Sequence, residues 1–202
     1  MTKVFLIRHG ETTDEETGRV FKGVTDIPLS TKGLTRMKKA GEYLSSFKLD
    51  AVYTSALSRC ITSGTFIASH HGLEVKIEPQ LNEIHFGAWE GQTFEEIKKS
   101  YPSELKAWLA DLENESPPNG ELLADAQKRV VGAFERIVTK HNGECCAIVA
   151  HSGTLRLILC HVLELRLSNM FKLAQDNGCI DIIDFHKNLN PVISLINFSM
   201  YL

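Results

Sequence analysis

Two short apolar runs in this chain each end on a histidine. Val4-Phe5-Leu6-Ile7 leads into Arg8-His9-Gly10-Glu11-Thr12, and the run 145–150 leads into His151-Ser152-Gly153-Thr154. Runs this apolar, without polar alternation, read as strands covered on both faces. In sheets of that kind ligands bind beyond the carboxyl ends of the strands. On neighbouring parallel strands, both imidazoles and Arg8 would meet at one spot. Arg59 leaves a third strand end, through Thr54-Ser55-Ala56-Leu57-Ser58, and adds a second guanidinium there. Clustered positive charge wants an anion, and a helix opening after Ser152 would add backbone N–H donors. Gly10 and Gly153 would let backbone approach a ligand. Each residue alone has a plainer reading. A single strand-end histidine is more often a structural hydrogen-bonder, and a single arginine at a helix start is a solvated charge. Three strand–helix junctions that each present such a group favour a site.

The elements that must position these residues alternate along the chain. Strands are expected at 4–7, 51–54, 74–77, 145–150, 180–185 and 192–197, and helices at 31–47, 57–70, 122–140 and 153–163. Two shorter helices, 93–99 and 103–112, split at Tyr101-Pro102. Gly72 reads as a helix stop and 187–190 as a hairpin turn joining the last two strands. This pattern predicts an α/β fold, a three-layer α/β/α sandwich. Its sheet is mostly parallel, with helices on both faces and a small helical cap over the site. One domain over 1–202 with a cap-like insertion at about 91–120 fits the 202 residues. The composition is ordinary for a globular chain, with 43% hydrophobic and 23% charged residues. A net charge of −3 and a pI near 6.2 speak against a nucleic-acid partner. No run is long and apolar enough to span a membrane. The apolar stretch after Met1 is too short for a signal peptide. Five cysteines without a C-x-x-C pair read as reduced, buried thiols, so the chain is expected to be soluble and cytoplasmic. Cys145 and Cys146, as strand neighbours, should face opposite sides. The adjacent His70 and His71 have no third ligand near them, and no metal or cofactor is expected.

Leu6-Ile7-Arg8-His9-Gly10-Glu11-Thr12 resembles the signature of the histidine phosphatase superfamily, the phosphoglycerate mutase-like enzymes. Four further blocks are similar to the family's landmarks, in order. They are Asp26-Ile27-Pro28-Leu29-Ser30 through Gly33, Tyr53-Thr54-Ser55-Ala56-Leu57-Ser58-Arg59, Glu83-Ile84-His85-Phe86-Gly87-Ala88-Trp89-Glu90-Gly91 and Ala150-His151-Ser152-Gly153. The resemblance implies that His9 is the nucleophile that takes the phosphoryl group as a phosphohistidine. Arg8, Arg59 and His151 would hold the phosphoryl oxygens. Glu83 would protonate the leaving alcohol and then activate water. Preplaced cations suit a transition state whose negative charge spreads over three oxygens. The expected partner is a small phosphomonoester, and the chain is expected to be a monomer or homodimer.

The chain departs from the family after Thr12. An asparagine contact to phosphate is common there, whereas this chain carries Thr13-Asp14-Glu15-Glu16-Thr17. Thr12, Thr13 or Thr17 could stand in for it. Arg19, Lys22, Thr25 and the Gly153 backbone could also serve phosphate or substrate. His85 is a fallback proton donor. Residues 92–119 contain no arginine, only Lys98, Lys99 and Lys106. The Arg-rich grip of the mutases is therefore missing, which favours a phosphatase. Its branch resembles α-ribazole phosphate phosphatases of cobalamin assembly and broad-specificity phosphatases. Mutase-type phosphoryl transfer, phosphoserine hydrolysis and a non-catalytic phospho-ligand module are the alternatives. Trp108, Leu105, Leu109 and Leu112 are expected to give the pocket an apolar wall, and Trp89 to pack in the core or the cap.

Overall fold

The first strand, β1 (Thr2–Arg8), is buried at nearly every position because it has a partner on each side. It pairs in parallel with β4 (Cys145–Ala150) and antiparallel with β5 (Ile180–Phe185). This computed structural model describes residues 1–16, 20–186 and 191–199. Beyond β4 lie β2 (Ala51–Thr54) and β3 (Val75–Ile77), both parallel. Beyond β5 lies β6 (Val192–Phe198), antiparallel to it. The six strands run in the order β3-β2-β4-β1-β5-β6, and only β5 is reversed. The turn expected at 187–190 falls outside the described residues.

Side-chain alternation along the strands divides the interior in two. Val4, Leu6, Tyr53, Cys146 and Ile148 face one core, and Phe5, Ile7, Val52, Ala147 and Val149 face the other. The second core is roofed by α1 (Thr31–Leu44) and α2 (Ser58–Ser69), through Met37, Ala40, Leu44, Cys60 and Ile67. The first is roofed by α5 (Leu123–Lys140) and α6 (Ser152–Val162). That gives the three layers expected from the alternation of elements. Cys145 and Cys146 do part to opposite faces, and all five cysteines are free thiols. Among the described residues, no helix is long and apolar enough to cross a membrane.

Element bounds differ from expectation by a turn or less, most at the end of α1. α1 stops at Leu44 rather than continuing to 47, because Ser45 and Ser46 bond back to Glu42 and Tyr43 carbonyls and unwind the last turn. α6 starts at Ser152 with His151 as its N-cap, one residue early. Gly72 does end α2: its φ of +63° carries the chain back so that the Leu73 N–H bonds the Ala68 carbonyl. The short helices α3 (Phe94–Ser100) and α4 (Pro102–Ala110) meet at Tyr101-Pro102. Thr93 and Glu96 form a capping box that starts α3. Ile97, Leu105 and Trp108 seat both helices on the core shared with α5 and α6.

Candidate active site

Arg8 of β1 lies beside Ala150 of β4, and the His9 N–H bonds the Ala150 carbonyl at 3.1 Å. The parallel register therefore brings His9 and His151 off adjacent strand ends. Their rings meet edge to face with centroids 5.1 Å apart. β2 ends beside them, and Arg59 enters from the first turn of α2, fully buried. The three junctions singled out in the sequence converge on one place.

His9 is held by a 2.7 Å bond between its Nδ1 and the Gly10 carbonyl. A carbonyl only accepts, so Nδ1 carries the proton. Nε2 is left with its lone pair and has no partner among the described residues. Burial holds the His9 imidazole well below its ordinary acidity range, and the Arg8 and Arg59 guanidiniums push it the same way. His151 is lowered for the same reasons, burial first and then Arg59. Its Nδ1 accepts from Arg59 Nε at 3.2 Å, so its Nε2 carries the proton and donates to Ser55 Oγ at 2.8 Å. Arg59 also donates to the Thr25 and Gly23 carbonyls at 2.7 and 2.8 Å. That uses three of its five N–H groups. The 23–25 turn that supplies those carbonyls hangs on Glu90, which accepts from the Val24 and Thr25 backbone.

Glu83 lies across the same cavity, nearly buried at 8% exposure. Its Oε1 accepts from the backbone N–H of Ile84 and Thr154, and its Oε2 from that of Gly153. The carboxylate thus sits on the first turn of α6, where the helix presents unpaired donors. Position 153 must be glycine for this: a Cβ there would stand 2.5 Å from Glu83 Oε1. The backbone carrying Glu83 is gripped by Arg129 of α5. Arg129 donates to the carbonyls of Gln80, Asn82 and Glu83 and closes a two-pronged pair with Glu121. Gly10 and Gly153 were expected to admit a ligand. Instead the space at Gly10 is filled by the Gly33 backbone, 2.6 Å from a built Cβ, and the space at Gly153 by Glu83.

The cavity holds about 280 Å³ and is lined by Arg8, His9, Lys22, Arg59, Glu83 and Gly153 together with an apolar wall. That wall combines aromatic rings with Val20, Ile84, Leu123 and Met170 rather than the leucines of α4. Phe21, Phe86, Trp108 and Phe171 follow one another edge to face, at 5.0, 6.5 and 5.9 Å. Leu105 and Leu112 turn into the core instead, and Leu109 faces solvent at 51% exposure. Leu105 and Trp108 turn inward on one face of α4, while Leu109, one turn after Leu105 and next to the helix end, stays in solvent. Trp89 is a core residue, as expected. Lys22 pairs with Asp14 at 3.6 Å, and Glu11 turns to Arg36 and Lys32 on α1. These pairings answer two of the acids in this stretch. Thr12 is buried in a bridge with Leu29, away from the cavity wall, and Thr13 is exposed. Thr17 and Arg19 lie outside the described residues. His85 lies off the cavity wall, 3.8 Å from Glu90.

Sequence reasoning missed several residues of this site. Arg156 lines the cavity, and its only local signal is a single charge in the apolar body of α6, one turn beyond Gly153. Arg129, Glu90 and Gln175 act through contacts remote in sequence and have no local signal. Gln175 offers its carbonyl to Arg8 Nη1 at 2.6 Å, and its amide donates to Asp181 Oδ1. Burial pushes Asp181 up to about 6, and its Oδ2 has no partner. An unfolded aspartate titrates near ~3.9. The native state therefore binds this proton more tightly, and the ionised Asp181 weakens the fold as pH rises through about 6. Asp181→Asn is expected to raise Tm at pH 8, by roughly 3 °C or more, and to change it little at pH 4–5. A Tm lowered equally at both pH values in thermal unfolding would contradict that account.

A family model described as "Histidine phosphatase superfamily (branch 1)" matches residues 4–198. The chain belongs to that superfamily. The convergence of His9, Arg8 and Arg59 at one end of the sheet agrees with that description. The chain is 30% identical to phosphoserine phosphatase 1 of Hydrogenobacter thermophilus, over 96% of this chain and 92% of that protein. It is 28% identical to the adenosylcobalamin/alpha-ribazole phosphatase of Escherichia coli, over 92% and 91%. Its fold superposes on a mutant phosphoserine phosphatase from Entamoeba histolytica, solved in complex with phosphoserine. That match has a TM-score of 0.88 and 27% identity and covers all of both chains.

Proposed function

We propose that this histidine phosphatase hydrolyses a small phosphomonoester by two in-line transfers through a phosphohistidine on His9, without a metal. The observation that carries the reading is the tautomer of His9. Its Nδ1–H is tied to the Gly10 carbonyl and its Nε2 lone pair stands beside Arg8 and Arg59, across the cavity from Glu83. In the first step Nε2 bonds to phosphorus while the P–O ester bond breaks, and the leaving oxygen takes its proton from Glu83. Oε2 suits that transfer, since it carries one hydrogen bond where Oε1 carries two from backbone. In the second step Glu83 takes a proton from water, the water oxygen bonds to phosphorus and the N–P bond breaks. Arg8 and Arg59 balance the charge that spreads over the phosphoryl oxygens. The geometry supports an indirect part for His151, which orients Arg59 and backs the His9 ring. α3 and α4 cap the leaving-group side, where Trp108 gives an alcohol with an apolar part a surface to lie on. Five free thiols support action in a reducing, cytoplasmic compartment.

The relatives bracket the substrate between phosphoserine and α-ribazole phosphate. The test is a panel of initial rates in EDTA, with p-nitrophenyl phosphate, α-ribazole phosphate, phosphoserine and phosphoglycerate. Turnover that survives EDTA and releases inorganic phosphate is expected. Rates abolished by EDTA and restored by a divalent cation would overturn the metal-free reading. Activity only with a bisphosphorylated primer would favour phosphoryl transfer instead.

A further inference from the structure

One turn beyond Gly153, α6 carries Arg156 into the cavity wall. The residue also borders a second basin of about 310 Å³ beside the catalytic one. The two share Arg8, Val20, Lys22, Ser152 and Arg156. The second is closed by Gln175 and Asp176 rather than by His9, Arg59 and Glu83. Arg156 is fixed in place by two contacts. Its Nε donates to the Leu173 carbonyl at 2.8 Å, and its guanidinium lies 5.7 Å from the Phe171 ring centre. Neither Nη atom has a hydrogen-bond partner, and no carboxylate pairs with it, among the described residues. A preplaced, half-buried guanidinium with its fork open is a receptor for a planar two-oxygen anion.

The charges around it say which end of the substrate it meets. Arg156 lines the cavity together with Glu83, Trp108 and Phe171, and it borders a basin whose walls include neither His9 nor Arg59. The acid that acts most on Arg156 is Glu83, followed among the carboxylates by Asp176. Arg156 therefore stands on the side from which the alcohol departs. We propose that Arg156 is the specificity-determining residue of this site and binds a carboxylate on the alcohol half of the substrate. A second phosphate fits less well, because a dianion there would meet one unpaired guanidinium, a Lys22 already paired with Asp14, and the Asp176 carboxylate. The substrate class is thus a phosphorylated hydroxy acid, with its carboxylate a few bonds from the ester oxygen and its carbon chain against Phe171 and Trp108. This inference rests on the phosphomonoesterase reading above.

The experiment compares substrates that differ only at the carboxylate: 3-phosphoglycerate against glycerol 3-phosphate, and phosphoserine against phosphoethanolamine. The wild type is expected to prefer the carboxylated member in kcat/KM by about ten- to a hundredfold, the range for a hydrogen bond between charged groups. Arg156→Gln should erase that preference through KM, and Arg156→Lys should restore part of it. In both variants kcat/KM should fall further on the carboxylated member of each pair than on its carboxylate-free partner, since the lost contact is absent from the latter. An equal loss on both members of each pair would overturn the proposal, as would a wild type with no preference. Failure of the phosphatase reading shows separately, as no turnover of p-nitrophenyl phosphate. In that event calorimetric binding of 3-phosphoglycerate against glycerol 3-phosphate reads the same preference, and equal affinities overturn it.

Discussion

His9→Ala is expected to abolish turnover of every phosphomonoester, by about 10⁴-fold or more, the scale seen when a covalent nucleophile is removed. The fold should survive. His9 sits at a strand end, and among the described residues its only side-chain hydrogen bond is to its neighbour's carbonyl. Labelled substrate quenched in alkali should leave phosphate on the wild-type protein and none on the variant. Residual turnover within tenfold of wild type would exclude His9 as the nucleophile. The pH profile gives a second reading of the same atom. Burial and two arginines hold free His9 well below 6.5, so Nε2 keeps its lone pair through that pH. The acid limb of kcat/KM should then show no step at 6.5 that belongs to this imidazole. The same shifts act on stability with a definite sign. His9 and His151 are lowered in the native state, so the unfolded chain binds their protons first, and acidification below about 6.5 weakens the fold.

The halves of this site differ in how far the chain reveals them. His9, Arg8 and His151 follow strands whose unbroken apolar runs identify them as interior, so sequence places these residues at a sheet end. Both β1 and β4 are too apolar for an edge, which allows them to be neighbours, and the structure pairs them. Arg59 is legible for the same reason, one turn into the helix after β2. The wall is a different matter. Phe21, Phe86 and Phe171 come from segments between the main elements and Trp108 from α4, and which face of α4 turns inward depends on the core beneath it. Leu105 and Trp108 pack inward, while Leu109, which the helical period alone would allow on that face, is left in solvent. The glycines mislead in an instructive way. Gly10 and Gly153 are small because protein atoms, the Gly33 backbone and the Glu83 carboxylate, come close to them. A sequence reveals that something must approach a glycine without revealing what. Arg129 and Gln175 mark the limit, since Arg129 reaches the backbone carbonyls of a remote loop and Gln175 offers Arg8 its own, and carbonyls leave no trace in side-chain identity.

Glu83→Gln is expected to split the reaction according to the leaving group. Gln keeps the shape and can still accept from Ile84 and Thr154 through one oxygen, but it brings no proton to the departing alcohol and cannot take one from water. Alkoxides leave poorly without that proton. For an alkyl phosphate kcat/KM should fall by about 10²–10⁴-fold, the usual contribution of a general acid. For p-nitrophenyl phosphate the leaving phenolate needs little help, and kcat/KM reports only the first transfer, so it should change by less than about tenfold. The second transfer still needs a base, so kcat should fall for both substrates. Phosphohistidine should then accumulate, visible as a burst of nitrophenolate equal to the enzyme present. A uniform loss on both substrates, with no burst, would mean that Glu83 acts through the shape of the loop held by Arg129 rather than through its proton. The contrast is informative because Glu83 makes backbone hydrogen bonds that any structural role would also need. Only the leaving-group dependence separates a carboxylate that holds the first turn of α6 from one that also moves a proton across the cavity to the ester oxygen.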